Sequence, residues 1–90
     1  MITYVESAGD NEVISSSGAI LERIIVGKNV NTSKIEVSNS ATTGNEDIKI
    51  QLEDNSLLGE YEVNAEFPKG ITANLTNQTN VTFVWHPISV

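Results

Sequence analysis

The chain has 90 residues, of which 12 are acidic and five are basic, so its formal net charge is −7 at neutral pH. Nucleic acids and anionic membrane surfaces repel a protein of this charge, which excludes both as expected partners. The sequence has no cysteine, which excludes disulfides, thiolate metal sites and a cysteine nucleophile. The length predicts one domain, covering residues 1–90, with a thin hydrophobic core.

In the first half of the chain, short apolar segments alternate with turn residues. A first strand is predicted over residues 2–6 and ends at a break formed by residues 9–11, after which residues 12–14 resume pairing. Residues 19–26 have apolar side chains at three-and-four spacing that would also suit a helix, but their β-branched end favours a strand. The pattern then predicts a strand over residues 33–38.

The second half of the chain shows the clearest strand patterns. A loop is predicted over residues 39–45, and residues 47–53 then alternate strictly, as in an antiparallel sheet with one solvated face. Residues 60–67 alternate in the same way. Residues 71–75 and 81–85 are predicted to form a closing hairpin.

Seven or eight short strands without a convincing helix predict an all-β fold. The expected architecture is an antiparallel two-sheet β-sandwich, with the jelly roll among the arrangements open to it. No apolar run approaches the roughly 20 residues of a membrane span. The fold class therefore follows from the pattern of strands and turns, whereas the function needs further argument.

The sequence shows no arrangement of residues suited to catalysis. His86 is the only histidine, and no G-x-S-x-G nucleophile motif is present, so we predict that the protein is not an enzyme. Asp10, Asn11, Asp54 and Asn55 carry oxygen atoms of the kind that Ca²⁺ prefers, but the spacing of a calcium-binding loop is missing. No metal or other cofactor is predicted.

Both ends of the chain carry apolar residues that are candidates for partner contacts. The C-terminal segment W-H-P-I-S-V and the N-terminal segment M-I-T-Y-V are each open to two interpretations. Either segment adds to the sheet edge of a neighbouring subunit, or it packs against its own domain. The candidate partner-binding residues are Ile2, Tyr4, Trp85, Ile88 and Val90.

Three passages share a characteristic order of turns and strands. They are S-S-S-G-A-I-L-E-R-I-I-V, S-K-I-E-V-S-N-S-A-T-T-G and F-P-K-G-I-T-A-N-L-T-N-Q-T-N-V-T-F-V-W. This order resembles small virion proteins of tailed bacteriophages, of the capsid-decoration (cement) or head-fibre type. The chain differs from that pattern in carrying more acidic residues and in having Ser38-Asn39-Ser40 in place of a tyrosine-aspartate turn.

The resemblance implies a non-enzymatic, structural role in a virion assembled in the host cytoplasm. The expected partner is the major capsid protein, bound at the junctions of its subunits, and the protein is expected to be a homo-oligomer, with a trimer favoured. A neck or tail accessory protein is one alternative. Another is a carbohydrate- or cell-surface-binding module, with Trp85 and the loop residues Asn29, Asn31, Asn77 and Asn80 at its site.

Overall fold

The structure is a computed structural model that describes residues 1–6, 9–27, 33–44, 47–53, 59–77 and 80–88. These residues form eight β-strands, and none of them is helical, which confirms the predicted all-β class. Accordingly, the described residues include no helix that could cross a membrane. The strands are β1 (Ile2–Val5), β2 (Gly9–Ser15), β3 (Ala19–Val26), β4 (Lys34–Asn39), β5 (Ile48–Glu53), β6 (Gly59–Phe67), β7 (Ile71–Thr76) and β8 (Val81–Pro87).

The strands form two antiparallel sheets of four strands each. Sheet A has the order β1-β8-β3-β6, and sheet B has the order β2-β7-β4-β5. The ladders β1–β8, β2–β7, β3–β6 and β4–β5 join the strands from the chain ends inward, as in a long hairpin rolled into two layers. This is the strand order of a jelly roll, so the predicted two-sheet β-sandwich is confirmed in its jelly-roll arrangement.

The core lies between the sheets and results from the alternation of apolar side chains along the strands. In sheet A, Ile24 of β3 lies opposite Phe83 of β8, and both side chains are fully buried. In sheet B, Ile35 of β4 lies opposite Leu75 of β7 in the same way. Aliphatic residues and two phenylalanines therefore fill the core. Its largest side chains are Phe67, Phe83, Leu21, Ile24, Ile35 and Ile71.

The predicted closing hairpin between residues 71–75 and 81–85 is wrong. β7 lies in sheet B between β2 and β4, whereas β8 lies in sheet A between β1 and β3. The chain therefore crosses from one sheet to the other between these strands. Alternation indicates which face of a strand is buried, but it does not identify the neighbouring strand.

The predicted break at residues 9–11 is also wrong, because these residues begin β2. Asn11 has a φ of 55°, and the pairing with β7 shifts in register between Gly9 and Glu12, as in a β-bulge. Glycine and asparagine adopt left-handed backbone angles in bulges as well as in turns. The composition of residues 9–11 therefore suits a β-bulge as well as a turn.

Candidate functional site

The N-terminal strand β1 forms one edge of sheet A and presents apolar side chains to solvent. β1 pairs with β8 without any shift in register, from Ile2 opposite Val84 to Val5 opposite Val81. The side chain of Ile2 is 72% exposed and that of Tyr4 is 54% exposed. Because side chains alternate along a strand, Ile2 and Tyr4 point outward while Val5 contacts the core.

A groove of about 270 Å³ runs along the flank of the sandwich, between the edge strands β1 and β2. Val13, on the β2 side, is 47% exposed, whereas Val5 and Ile14 are buried. Within the described part of the chain, the charged residues that line the groove are two glutamates. The groove therefore combines apolar side chains with polar groups, among them two carboxylates. Its lining residues are Thr3, Tyr4, Val5, Glu6, Glu12, Val13 and Ile14.

The predicted contact residue Trp85 is half-buried and packs against the core. Its Nε1–H donates to Oγ1 of Thr3 at 3.0 Å, and its backbone N–H donates to the carbonyl oxygen of Met1 at 2.9 Å. The amino group of Met1 in turn donates to the carbonyl oxygen of Trp85. Trp85 therefore holds β1 in place from the inner side of sheet A.

In the C-terminal segment, Ile88 bonds to the residue that precedes β3. The backbone N–H of Ile88 donates to the carbonyl oxygen of Gly18 at 3.1 Å, so the tail packs on its own domain as far as this residue. Val90 lies outside the described residues. Of the five candidates, Ile2 and Tyr4 share one exposed edge, and Trp85 lies directly behind that edge.

His86 has a surface partner in Glu22, and its Nδ1 lies 2.9 Å from Oε2 of that glutamate. The hydrogen bond with His86 lowers the pKa of the Glu22 carboxyl below its ordinary value. Both side chains are partly exposed. Their arrangement joins β8 to β3 on the outer face of sheet A.

The residues considered as calcium ligands do not form a described cluster. Asp10 and Asn11 lie in β2, and Asp54 and Asn55 lie outside the described residues. Within the described parts of the chain, no group of three or more histidine and carboxylate residues is placed to hold a metal ion.

The outer face of sheet B is covered by residues 40–44, which we call the covering loop. Ser38 and Thr72 lie on this face, yet both are fully buried. Oγ1 of Thr72 donates to the carbonyl oxygen of Ser40 at 2.8 Å, and Oγ of Ser38 donates to that of Gly44 at 2.6 Å. The backbone N–H of Gly44 donates to Oδ1 of Asn11 at 2.7 Å, which ties the loop to β2.

Asn39 continues this polar network beside the covering loop. Its Nδ2–H donates to Oδ2 of Asp47 at 3.0 Å, and its Oδ1 accepts the backbone N–H of Lys69 at 2.8 Å. The hydrogen bond from Asn39 is the main reason that the pKa of the Asp47 carboxyl lies below its ordinary value. Together with the covering loop, these contacts shield the polar side chains of Ser38, Asn39 and Thr72 from solvent. The strand pattern alone does not reveal this network, since small polar residues on an outer face suit a solvated surface equally well.

The opposite edge of sheet A is β6, which carries acidic side chains. On β6, Glu60, Glu62 and Glu66 point away from the core and are exposed. Nη1 of Arg23 lies 3.3 Å from Oε1 of Glu60, which pairs one of these charges. Charged side chains along an edge strand discourage pairing with another chain. β1 has no charged residue.

The fold and the β1 surface define a class: small jelly-roll proteins with an exposed apolar edge strand. No protein-family model, curated protein or solved structure matches this chain. Unrelated functions share the jelly-roll architecture, so the fold by itself does not determine the function.

Proposed function

We propose that this protein is a non-enzymatic structural component of a bacteriophage particle, which decorates or cements the capsid by binding the major capsid protein at subunit junctions. The exposed apolar edge formed by Ile2 and Tyr4 carries the proposal. Large exposed apolar side chains grouped on one edge are typical of interaction sites. The jelly-roll architecture, which viral capsid proteins share with lectins and cupins, also supports the proposal.

Attachment to a particle would increase the stability of this small domain. A domain of 90 residues has a thin core, and binding adds stability by mass action, by about 2.7 kcal/mol when the partner is present at 100 times its Kd. Such a protein gains stability in the virion, where the partner is present in many copies.

Co-sedimentation with purified particles tests the proposal. Wild-type protein should pellet with particles that lack it, and Ile2→Ser should weaken attachment. Because Ile2 is 72% exposed, most of its apolar surface would become buried when the protein docks on a partner. This corresponds to about 1 to 2 kcal/mol, or about 5- to 30-fold in Kd. The variant targets β1 because Ile88 also contacts Gly18, so changes in the C-terminal segment would affect folding as well.

Ile48→Ser is the matched control. Ile48 lies on β5 in the other sheet and is 41% exposed, so this change removes a similar side chain from a different surface. It should leave attachment unchanged. Absence of wild-type protein from the pelleted particles would contradict the proposed function, and equal effects of both variants would contradict the assignment of β1. The position of bound protein in an electron-microscopic reconstruction would separate a capsid role from a neck or tail role.

A carbohydrate-binding module is less well supported. Of the five aromatic residues, only Tyr4 is exposed, whereas a sugar-binding platform needs several accessible rings. Asn80 donates a hydrogen bond from Nδ2 to the Tyr4 hydroxyl, so a small polar-aromatic patch does exist there. Glycan-array binding that is abolished by Tyr4→Ala would favour this alternative.

A further inference from the structure

We infer that the groove between β1 and β2 binds an extended, positively charged segment of the partner protein, which pairs with β1 as a fifth strand of sheet A. The identity of the partner rests on the proposed function. The mode of binding rests on the backbone of β1, the exposed apolar side chains and the two glutamates that line the groove.

The backbone of β1 has hydrogen-bonding groups available on its outer side. Met1 and Trp85 exchange both backbone hydrogen bonds, so they form a hydrogen-bonded pair. Hydrogen-bonded and non-hydrogen-bonded pairs alternate along an antiparallel ladder, so the N–H and C=O groups of Ile2 and Tyr4 point away from β8. Among the described residues, β8 is the only strand paired with β1. An incoming strand could therefore form four backbone hydrogen bonds, two with each of these residues.

The charges around the groove select a basic partner. Among the described residues that line the groove, only Glu6 and Glu12 are charged, and neither forms an ion pair with another described residue. Lysine or arginine side chains on an extended segment would meet these carboxylates, while apolar side chains would contact Tyr4 and Val13. A second copy of this chain is a poorer occupant, because it brings a net charge of −7 and the same two glutamates.

The other three edges of the sandwich are less suited to strand addition. The ladder of β2 shifts in register at two places, and that of β5 shifts at one. β6 has a register shift against β3 and a left-handed residue, Asn64, with a φ of 49°. Such irregularities interrupt edge pairing. The ladder of β1 is regular, which leaves β1 as the best template for an added strand.

The test uses the isolated protein and a peptide of about seven residues in which lysine alternates with valine, with blocked ends. Binding is followed by amide chemical shifts in ¹⁵N-labelled protein. The largest shifts are expected at residues 2–6 and 12–14, and intermolecular NOEs are expected between the peptide and the amide protons of Ile2 and Tyr4. A peptide in which glutamate alternates with valine should not bind. Raising the ionic strength to about 0.5 M, where the Debye length is about 4 Å, should weaken binding.

Two variants separate the backbone contribution from the charge contribution. Ile2→Pro removes an N–H that faces the outer edge, a position where an edge strand tolerates proline, and should abolish binding. The double change Glu6→Gln and Glu12→Gln should weaken binding between about twofold and about 30-fold. Melting followed by circular dichroism checks that each variant folds, and the NOEs in the wild-type protein report on strand pairing without any substitution.

Three results would overturn the inference: largest shifts on the acidic β6 edge, equal binding of the glutamate peptide, or absence of NOEs to β1. The experiment requires no particle, so its outcome is independent of co-sedimentation. Attachment of the folded Ile2→Pro variant to particles with wild-type affinity would contradict the inference and the assignment of β1, while attachment to the particle itself would still support the structural role.

Discussion

Replacing Gly70 with alanine should destabilise the protein strongly, because this residue lies where the turn after β6 meets the covering loop. Its φ is +141°, a backbone angle that side chains with a Cβ rarely adopt. A Cβ placed there would lie 2.5 Å from the carbonyl oxygen of Ser15 and 3.1 Å from Cα of Ala41. Both neighbours are backbone atoms, so a rotamer change cannot relieve the contact.

The expected cost has two parts that a second glycine can separate. Strain at such a backbone angle costs about 1–3 kcal/mol, and overpacking adds about 1–3 kcal/mol. Gly59 has a φ of +128°, and a Cβ there would have no atom of another described residue within 4 Å. Gly59→Ala therefore measures the strain alone, whereas Gly70→Ala measures strain and overpacking together, about 2–6 kcal/mol.

Urea denaturation followed by circular dichroism gives both free energies of unfolding. The difference between the two variants isolates the contact of Gly70 with β2 and with the covering loop. Equal losses in the two variants would refute the close backbone contact at Gly70. A loss below about 0.5 kcal/mol in both would refute the strain as well.

Three further predictions concern individual side chains. Trp85→Phe removes the hydrogen bond to Thr3. A double-mutant cycle with Thr3→Val should give a coupling of about 0.5–1.5 kcal/mol in the free energy of unfolding. Full additivity of the two changes would contradict this hydrogen bond. Asn74→Ala removes a buried oxygen that accepts the backbone N–H of Asn11 in β2 at 2.7 Å. Urea denaturation should show a loss of about 1–3 kcal/mol in the free energy of unfolding. An unchanged urea midpoint would count against this contact. The hydrogen bond with His86 lowers the pKa of the Glu22 carboxyl. The stability that this bond adds is therefore present above the pKa of a glutamate in the unfolded chain, and it is lost as pH falls through the lower pKa of Glu22 in the folded protein. A carboxyl NMR titration should give Glu22 a pKa below that of a free glutamate, and an ordinary value would rule out the contact.

The strands could be predicted because burial within a strand is a local pattern. Ile35 and Val37 alternate with polar residues, and the structure buries both of them as the pattern indicates. The pairing of strands could not be predicted in the same way. β7 and β8 are neighbours in sequence and lie in different sheets, because jelly-roll pairing joins strands that are far apart in the chain.

The environment of the candidate residues also depends on distant parts of the chain. Ile2 and Tyr4 are exposed, as contact with a partner requires. Trp85 is also a predicted contact residue, but its indole nitrogen donates a hydrogen bond to Thr3, 82 residues away. The covering loop depends likewise on a bond between Gly44 and Asn11, which are 33 residues apart. Contacts of this kind follow from the strand order and not from local composition.

The alternation of side chains along β1 separates stability from attachment within a single short strand. Thr3 and Val5 face the domain, where they contact Trp85 and the core. Ile2 and Tyr4 face outward, and their outer backbone groups take no part in the ladder with β8. Substitutions at the outward positions can therefore change partner binding at little cost to folding, whereas substitutions at the inward positions affect folding first. This division makes β1 an edge at which binding specificity can vary while the jelly roll behind it stays the same.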